Sequence, residues 1–453
     1  MARHAMVSSF LNLFPVERNF KDFDVSSSPE LLLNVLLRAR DRFSTACFLN
    51  SNGFAQDPYG GIPSALAIGV AEEVTASVGG QTNAFTVLKE FSGKHEDWLF
   101  GFFSYDLKNQ VERLTSENPD HIRFPLMHFF RPVILIFPEN NNWRIGCLPG
   151  YGNFSDPDHV FRELIDGPMA KHPPATEAQI RARVSRERYL HQVNAIKNHI
   201  QLGDIYEMNY CVEFFAEQAR IDPIWTYYRL NQRSPAPFSC FYSLEGKSLL
   251  CSSPERFLRK KGKQLVSQPI KGTAKRGVND AEDQRLKENL YHDPKERSEN
   301  VMIVDLVRND LSRSAEKGSV EVEELFGIYS FPQVHQMIST VTARLHPDCH
   351  FVDAIRNAFP MGSMTGAPKV RAMQLIEEYE DMRRGLYSGA VGYISPEKDF
   401  DFNVVIRSIL YNAADRYLAY MAGGAITSGS VPEKEYEECL LKAASMEAVV
   451  SAR

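Results

Sequence analysis

Apolar residues recur along this chain in two different rhythms. Through the first 150 positions they come in short, dense runs such as WLFGFFSYDL and RPVILIFP, rich in Phe, Val and Ile, which predict buried strands. The region 151–180 breaks that rhythm. YGNFSDPDH and GPMAKHPPATEA are rich in Pro, Gly, Asp and Ala and read as a connector. From Ser185 the spacing becomes helical: SRERYLHQVNAIKNHIQLGD carries apolar residues on one face and stops near Gly203. Strand-like runs return in FSCFYSLEG and SLLCSS. A helix follows in DPKERSENVMIVDLV, with Asp293 as N-cap, Pro294 in the first turn and Glu296 at capping-box spacing. Another is expected in TGAPKVRAMQLIEEYE, opened by Pro368. The last runs through SVPEKEYEECLLKAASMEAVV, where Ser430 and Glu433 have capping-box spacing. Strands and helices do not alternate regularly, so a doubly wound parallel sheet is disfavoured. The expected class is α+β, with antiparallel sheets and helices packed outside. The divisions are a β-rich region over 1–150, a connector over 151–184 and a catalytic region over 185–453, interleaved with the N-terminal part in one unit.

Composition narrows the function classes. Of 453 residues, 43% are hydrophobic and 24% charged, as in globular proteins with a large core. With 51 basic against 57 acidic residues the net charge is −6, which argues against a generic nucleic-acid-binding surface. The seven cysteines (47, 147, 211, 240, 251, 349 and 439) are scattered and form no C-x-x-C pair, so a zinc cluster or disulfide scaffold is not expected. MARHAMVSSFLNLF lacks an apolar leader core. LLLNVLL at 31–37 is too short to span a bilayer, so no membrane role and a cytoplasmic location are expected.

Several residues carry candidate chemistry. Lys271 lies in QPIKGTAKRG, between a proline that fixes the backbone and a glycine that frees it, so it is expected at a bend. There it is either a solvated loop charge or a reagent. Glu296 and Glu299 share one helical face, and Glu435, Glu438 and Lys442 share another. Paired carboxylates on two helices suit a hard cation such as Mg²⁺, although surface charge is their ordinary role. Gly423 and Gly424 in MAGGAITSGS follow a strand-like run and read as a turn, and GSMTGAPK leads into a helix N-terminus; both are anion-friendly. No G-x-G-x-x-G, P-loop, H-E-x-x-H or G-x-S-x-G occurs. His335 reads as structural when taken alone. Arg407, inside the apolar run NVVIRSIL, needs an anionic partner if it is buried in a strand.

Taken together and in order, SSPERF (252–257), QPIKGT (268–273), ERSENVMIVDLVRNDL (296–311), GSMTGAPKVRAM (362–373), GAVGY (389–393), VIRS (405–408), AGGAI (422–426) and EYEECLLKA (435–443) resemble the chorismate-utilising enzymes. That family includes anthranilate, isochorismate and salicylate synthases. The resemblance covers about residues 185–450, and GFFSYDLK at 101–108 extends it weakly. It implies a sandwich-like arrangement of large antiparallel sheets. Those three groups carry alanine where this chain has Lys271; lysine marks the branch that aminates chorismate at C4, towards 4-aminobenzoate and folate.

The resemblance further implies Mg²⁺ on Glu299 and Glu438, with Glu296 and Glu435 alongside. Tyr387, Arg407 and the backbone of Gly424 and Ala425 would hold the enolpyruvyl carboxylate. Thr273, Ser363, Thr365, Gly423 and Lys442 would line the rest of the substrate site. Ala425 stands where glycine is common in the family. Lys271 would attack C2, Glu255 would protonate the leaving C4 hydroxyl, and His335 would lie near the ring. A separate glutamine amidotransferase would supply ammonia. Lys271 is expected neutral, its pKa lowered by burial and nearby cations, and Glu255 is expected with a raised pKa. Glu207 occupies the place of the water-activating lysine of isochorismate and salicylate synthases, where amine-using members usually have glutamine; it is a departure without an assigned role. The alternatives are anthranilate formation and a non-catalytic chorismate-binding activator of an amidotransferase.

Overall fold

The computed structural model describes residues 18–451 apart from 55–56, 81, 140, 168–175 and 333. MARHAMVSSFLNLF and most of GPMAKHPPATEA lie outside the described residues. Among the described residues no helix is long and apolar enough to cross a membrane.

The dense apolar runs are strands because both their faces are covered. Met127–Glu139 carries MHFFRPVILIFP almost entirely buried. It pairs antiparallel with Ser64–Ala76, Leu99–Phe103 and Asn142–Cys147. From it the strands run in two directions. One run passes through Ser64–Ala76, Ala46–Asn50, Phe238–Leu244, Lys247–Ser253, Ser408–Asn412 and Tyr417–Ile426 to Glu207–Ala216. The other passes through Leu99–Phe103, Ala390–Ile394, Phe400–Asn403, Arg256–Lys261 and Gln264–Gln268 to Val334–Arg344, which also pairs with Ile270–Lys275 and Glu321–Ser330. These pairings are all antiparallel. Strands from the two halves of the chain are shuffled together: Ala46–Asn50 lies against Phe238–Leu244, and Leu99–Phe103 against Ala390–Ile394.

Period-2 alternation gives the first run two apolar faces. Cys47, Tyr242, Leu249, Leu410 and Met421 face inward and join Phe100, Phe257, Val391 and Phe402 of the second run in one core. Phe48, Phe241, Leu250, Ile409 and Tyr420 face outward into a second core, closed by helices Pro29–Arg40, Arg186–Leu202, Pro223–Arg233 and Pro432–Val450. The result is a sandwich with helices outside, as expected.

Helix ends follow their cap chemistry. Arg186–Leu202 opens where the Ser185 hydroxyl accepts from the Arg188 N–H, and it closes at Gly203 with φ +83°. Replacing Ser185 by alanine is expected to cost about 1 kcal/mol, measured as a lower urea midpoint. Pro294–Ser312 opens as predicted on Asp293, whose carboxylate accepts from the N–H groups of Lys295 and Glu296. The reciprocal half of that capping box is not formed, because the Asp293 N–H is taken by the Leu290 carbonyl. The second predicted box is also corrected. Pro432–Val450 is capped by Val431 without a side-chain bond, and the Ser430 hydroxyl instead accepts from the Thr427 N–H.

Candidate active site

Two helices bring their acids to the same place for the same reason. In Pro294–Ser312 the buried stripe Ile303, Val304, Val307 and Leu311 docks in the inner core, and Glu299 lies one turn earlier on that stripe. In Pro432–Val450 the stripe Cys439, Ala443 and Met446 docks in the outer core, with Glu435 one turn earlier. The strand Tyr417–Ile426 packs against the second of these helices. A side chain at Gly424 would point at Glu435, Glu438 and Lys442, its Cβ 3.6–3.8 Å from their polar atoms. The Lys442 ammonium donates to the Gly423 carbonyl (3.0 Å) and pairs with Glu438 (2.7 Å). Gly423 and Gly424 are therefore inside a strand, not in the predicted turn. A Cβ at Gly423 would sit 2.0 Å from the Tyr210 carbonyl, so glycine is required there by the neighbouring strand.

Lys271 sits in the strand Ile270–Lys275 rather than at a free bend. The bend survives as a bulge at Gly272, with φ +99°. A Cβ at Gly272 would lie 3.1 Å from Glu296 Oε2, so bulge and acid are in contact range. The Lys271 side chain is buried, and its Nζ donates to Glu207 Oε1 at 2.6 Å. Burial pulls its pKa down, but Glu207 and Glu299 more than offset this and hold it above the ordinary lysine value. The expected lowering is thus not observed; the carboxylate that sequence reading left without a role reverses the sign.

Glu255, between Ser253 and Arg256, agrees with expectation. Burial raises its pKa to about 7, against the opposing pull of a Ser363 hydrogen bond, Lys271 and Arg407. Arg407 lies not in a strand but in the connection before Ser408–Asn412, in left-handed backbone at φ +49°. Burial lowers its pKa and outweighs the opposing pull of Glu255. Asn209 holds the 363–365 loop: its side-chain amide donates to the Ser363 carbonyl (3.2 Å) and its N–H to the Thr365 carbonyl (2.8 Å). Asn209 also stands opposite Ala425 in register. Tyr387 is buried with its hydroxyl 3.6 Å from Cys211 Sγ, and Cys211 is the register partner of Gly423.

Two expected members stand apart. Thr273 is exposed on its strand. His335 is buried, and its ring nitrogens are engaged by Ser330 (2.8 Å) and Asp283 (3.0 Å). Gln336, which sequence reading passed over, is opposite Thr273 in register, with a buried Oε1 that has no partner.

The four glutamates have the donor chemistry of a hard cation. Burial raises the pKa of Glu299 to about 7, against Lys271 and Lys295, and its Oε1 is buried without a hydrogen-bond partner. Burial raises Glu296 as well. Glu438 is held low because Lys442, Lys295 and Lys271 outweigh its burial. Lys295, which no motif singled out, stands 3.7 Å from Glu299 and 3.5 Å from Glu435, an ammonium where acids of both helices need positive charge. Among the described residues no three His, Cys, Asp or Glu side chains are grouped closely enough to share an ion. The donor set fits Mg²⁺ in kind, with Lys295 bridging Glu299 and Glu435.

Comparison with known proteins follows the same lines. The family model described as chorismate binding enzyme matches residues 45–448. Aminodeoxychorismate synthase component 1 of Klebsiella aerogenes is 37% identical over 340 residues, 75% of this chain and 74% of that protein. Aminodeoxychorismate synthase of Streptomyces griseus is 43% identical over 281 residues; the match takes in 62% of this chain but only 38% of that protein. The crystal structure of anthranilate synthase component I from Streptococcus pneumoniae superposes with a TM-score of 0.73 at 26% identity, covering 87% of this chain and 94% of that one.

Proposed function

This chain belongs to the chorismate binding enzyme family, and on that premise we propose that it aminates chorismate at C4 to give 4-amino-4-deoxychorismate for 4-aminobenzoate synthesis. The observation that carries the reading is Lys271. It is buried, with Glu207 bonded to its nitrogen and Glu255 and Glu299 acting on it electrostatically.

Chorismate offers two carboxylates, a C4 hydroxyl that can leave, and a ring diene that accepts a nucleophile at C2. Arg407, Tyr387 and the backbone of Gly424 and Ala425 would receive the enolpyruvyl carboxylate. Ser363, Thr365, Gly423 and Lys442 would line the ring-carboxylate side. Lys271 in its neutral form would attack C2 while Glu255 protonates the departing hydroxyl. A carboxyl with pKa near 7 is half protonated at neutral pH and so can donate. Ammonia then adds at C4 and expels the lysine. Glu299 and Glu438, with Glu296 and Glu435 beside them, would hold Mg²⁺, which supplies electron withdrawal through the ring carboxylate. Binding of that ion is expected to weaken by at least about tenfold in Glu299→Gln, read by calorimetry without substrate.

The ammonia source we propose is a glutamine amidotransferase component, in keeping with the "component 1" of the Klebsiella relative's name. With an ammonium salt in mildly alkaline buffer, the chain alone is expected to convert chorismate when Mg²⁺ is present. Product analysis decides between the amination regiochemistries: fluorescent anthranilate would overturn this reading, and non-fluorescent 4-amino-4-deoxychorismate is the expected result. No turnover at all would leave a non-catalytic chorismate-binding activator.

A further inference from the structure

We propose that Glu207 is the base that takes the proton from the Lys271 ammonium and later returns it. This rests on the reading of Lys271 as nucleophile and adds the step that reading lacks. An amine that attacks carbon must first lose a proton, and here it is held as a buried ammonium. Its ionic hydrogen bond goes to Glu207 Oε1 at 2.6 Å, with Glu207 2% exposed and Lys271 9% exposed. The alternatives are less suited. Glu255 must keep its own proton to give to the leaving hydroxyl. Glu299 acts on Lys271 through space without a recorded hydrogen bond to it.

Glu207 is also fixed in place. It opens the strand Glu207–Ala216 and pairs in register with Ala367. A Cβ on the adjacent Gly366 would sit 2.1 Å from its carbonyl oxygen, so only glycine permits the approach. Its second oxygen, Oε2, is buried without a hydrogen-bond partner, so the carboxylate is only half satisfied as an anion. A buried ion pair loses hydration on both partners, and substrate entry removes more water. Passing one proton from nitrogen to oxygen converts two buried charges into two neutral groups.

The steps balance. Glu207 accepts a proton, and the freed amine forms the N–C2 bond as the ring double bond shifts and the C4–O bond breaks. The hydroxyl leaves as water with the Glu255 proton. Ammonia forms the C4–N bond, the double bond shifts back and the C2–N bond breaks. Lys271 leaves as neutral amine and regains its proton from Glu207. Glu255 is reprotonated from the new C4 ammonium, so the net reaction is chorismate plus ammonia giving aminated product plus water.

The groups facing the pair are Glu255, Glu299 and Glu438. The test is rapid-quench intact-mass measurement of the lysine adduct with chorismate and Mg²⁺ but no ammonia, from pH 6.5 to 9.5. In Glu207→Gln the adduct is expected to form about 100-fold more slowly at neutral pH, within the usual range for a lost base. The variant-to-wild-type ratio should rise about tenfold per pH unit as water takes over deprotonation. Glu207→Asp, which keeps the carboxylate, should show no such rise in the ratio, and it guards against a folding defect in the glutamine variant. A glutamine variant that forms adduct at or above the wild-type rate with a pH-independent ratio overturns the inference, because a mere counter-ion, once removed, would leave the amine at least as reactive. Wild-type protein that forms no adduct, while Lys271→Ala aminates normally, overturns the nucleophile reading itself, and the two failures are distinct.

Discussion

Lys271→Ala is expected to lower turnover by about 10³-fold or more, since losing a covalent nucleophile removes a whole reaction path, and to destabilise the fold by about 3 kcal/mol. The measurement is steady-state formation of 4-amino-4-deoxychorismate with ammonium salt, beside a urea unfolding curve. Stability should fall because the buried Glu207 carboxylate loses its partner, and breaking a buried ion pair from one side leaves an uncompensated charge. Retained turnover with intact folding would mean that ammonia attacks chorismate directly, and the defining residue would then be a bystander.

The second large effect concerns the leaving group. Glu255→Gln removes the proton donor while keeping shape, and turnover is expected to fall by about 10²–10⁴-fold, the span of general acid catalysis. The sign of the pH dependence follows from the raised pKa of about 7, set first by burial. The reactive form carries the proton, so it is fully present below pH 7 and is lost above it. The kcat/KM of the wild type should therefore decline about tenfold per pH unit on the alkaline side once corrected for the free ammonia fraction, and the residual activity of Glu255→Gln should lack that limb. A wild-type profile flat through pH 7–9 would remove Glu255 as the acid.

Much of this arrangement was legible before any coordinates. The helices announced their N-termini through Ser185 and Asp293, because a cap is a local hydrogen bond between residues two or three apart. The acids were legible as pairs because helical spacing fixes a shared face. What spacing could not supply was anything set by a partner far along the chain. Glu207 and Lys271 are 64 positions apart, so neither could reveal the other's charge state. The Gly423–Gly424 pair suggested a turn, since the Tyr210 carbonyl that demands glycine belongs to another strand. His335 is claimed by Ser330 and Asp283, one on the neighbouring strand and one on the helix Asp280–His292, and only the second is distant enough to be invisible locally. Lys295 is an exposed lysine in a first helical turn, and only the distant Glu435 beside it distinguishes it from a solvated charge.

The shuffled strand order also bears on how the molecule is born. Tyr417–Ile426 is synthesised after both of its partners yet occupies an interior place, between Ser408–Asn412 and Glu207–Ala216. Glu207–Ala216 must therefore wait, unpaired on that flank, until Tyr417–Ile426 has been made. Long-range antiparallel closure of this kind is slow and exposes sticky edges meanwhile. Nascent molecules should lean heavily on chaperones, and a fragment cut just before Tyr417–Ile426 should precipitate rather than persist as a folded half.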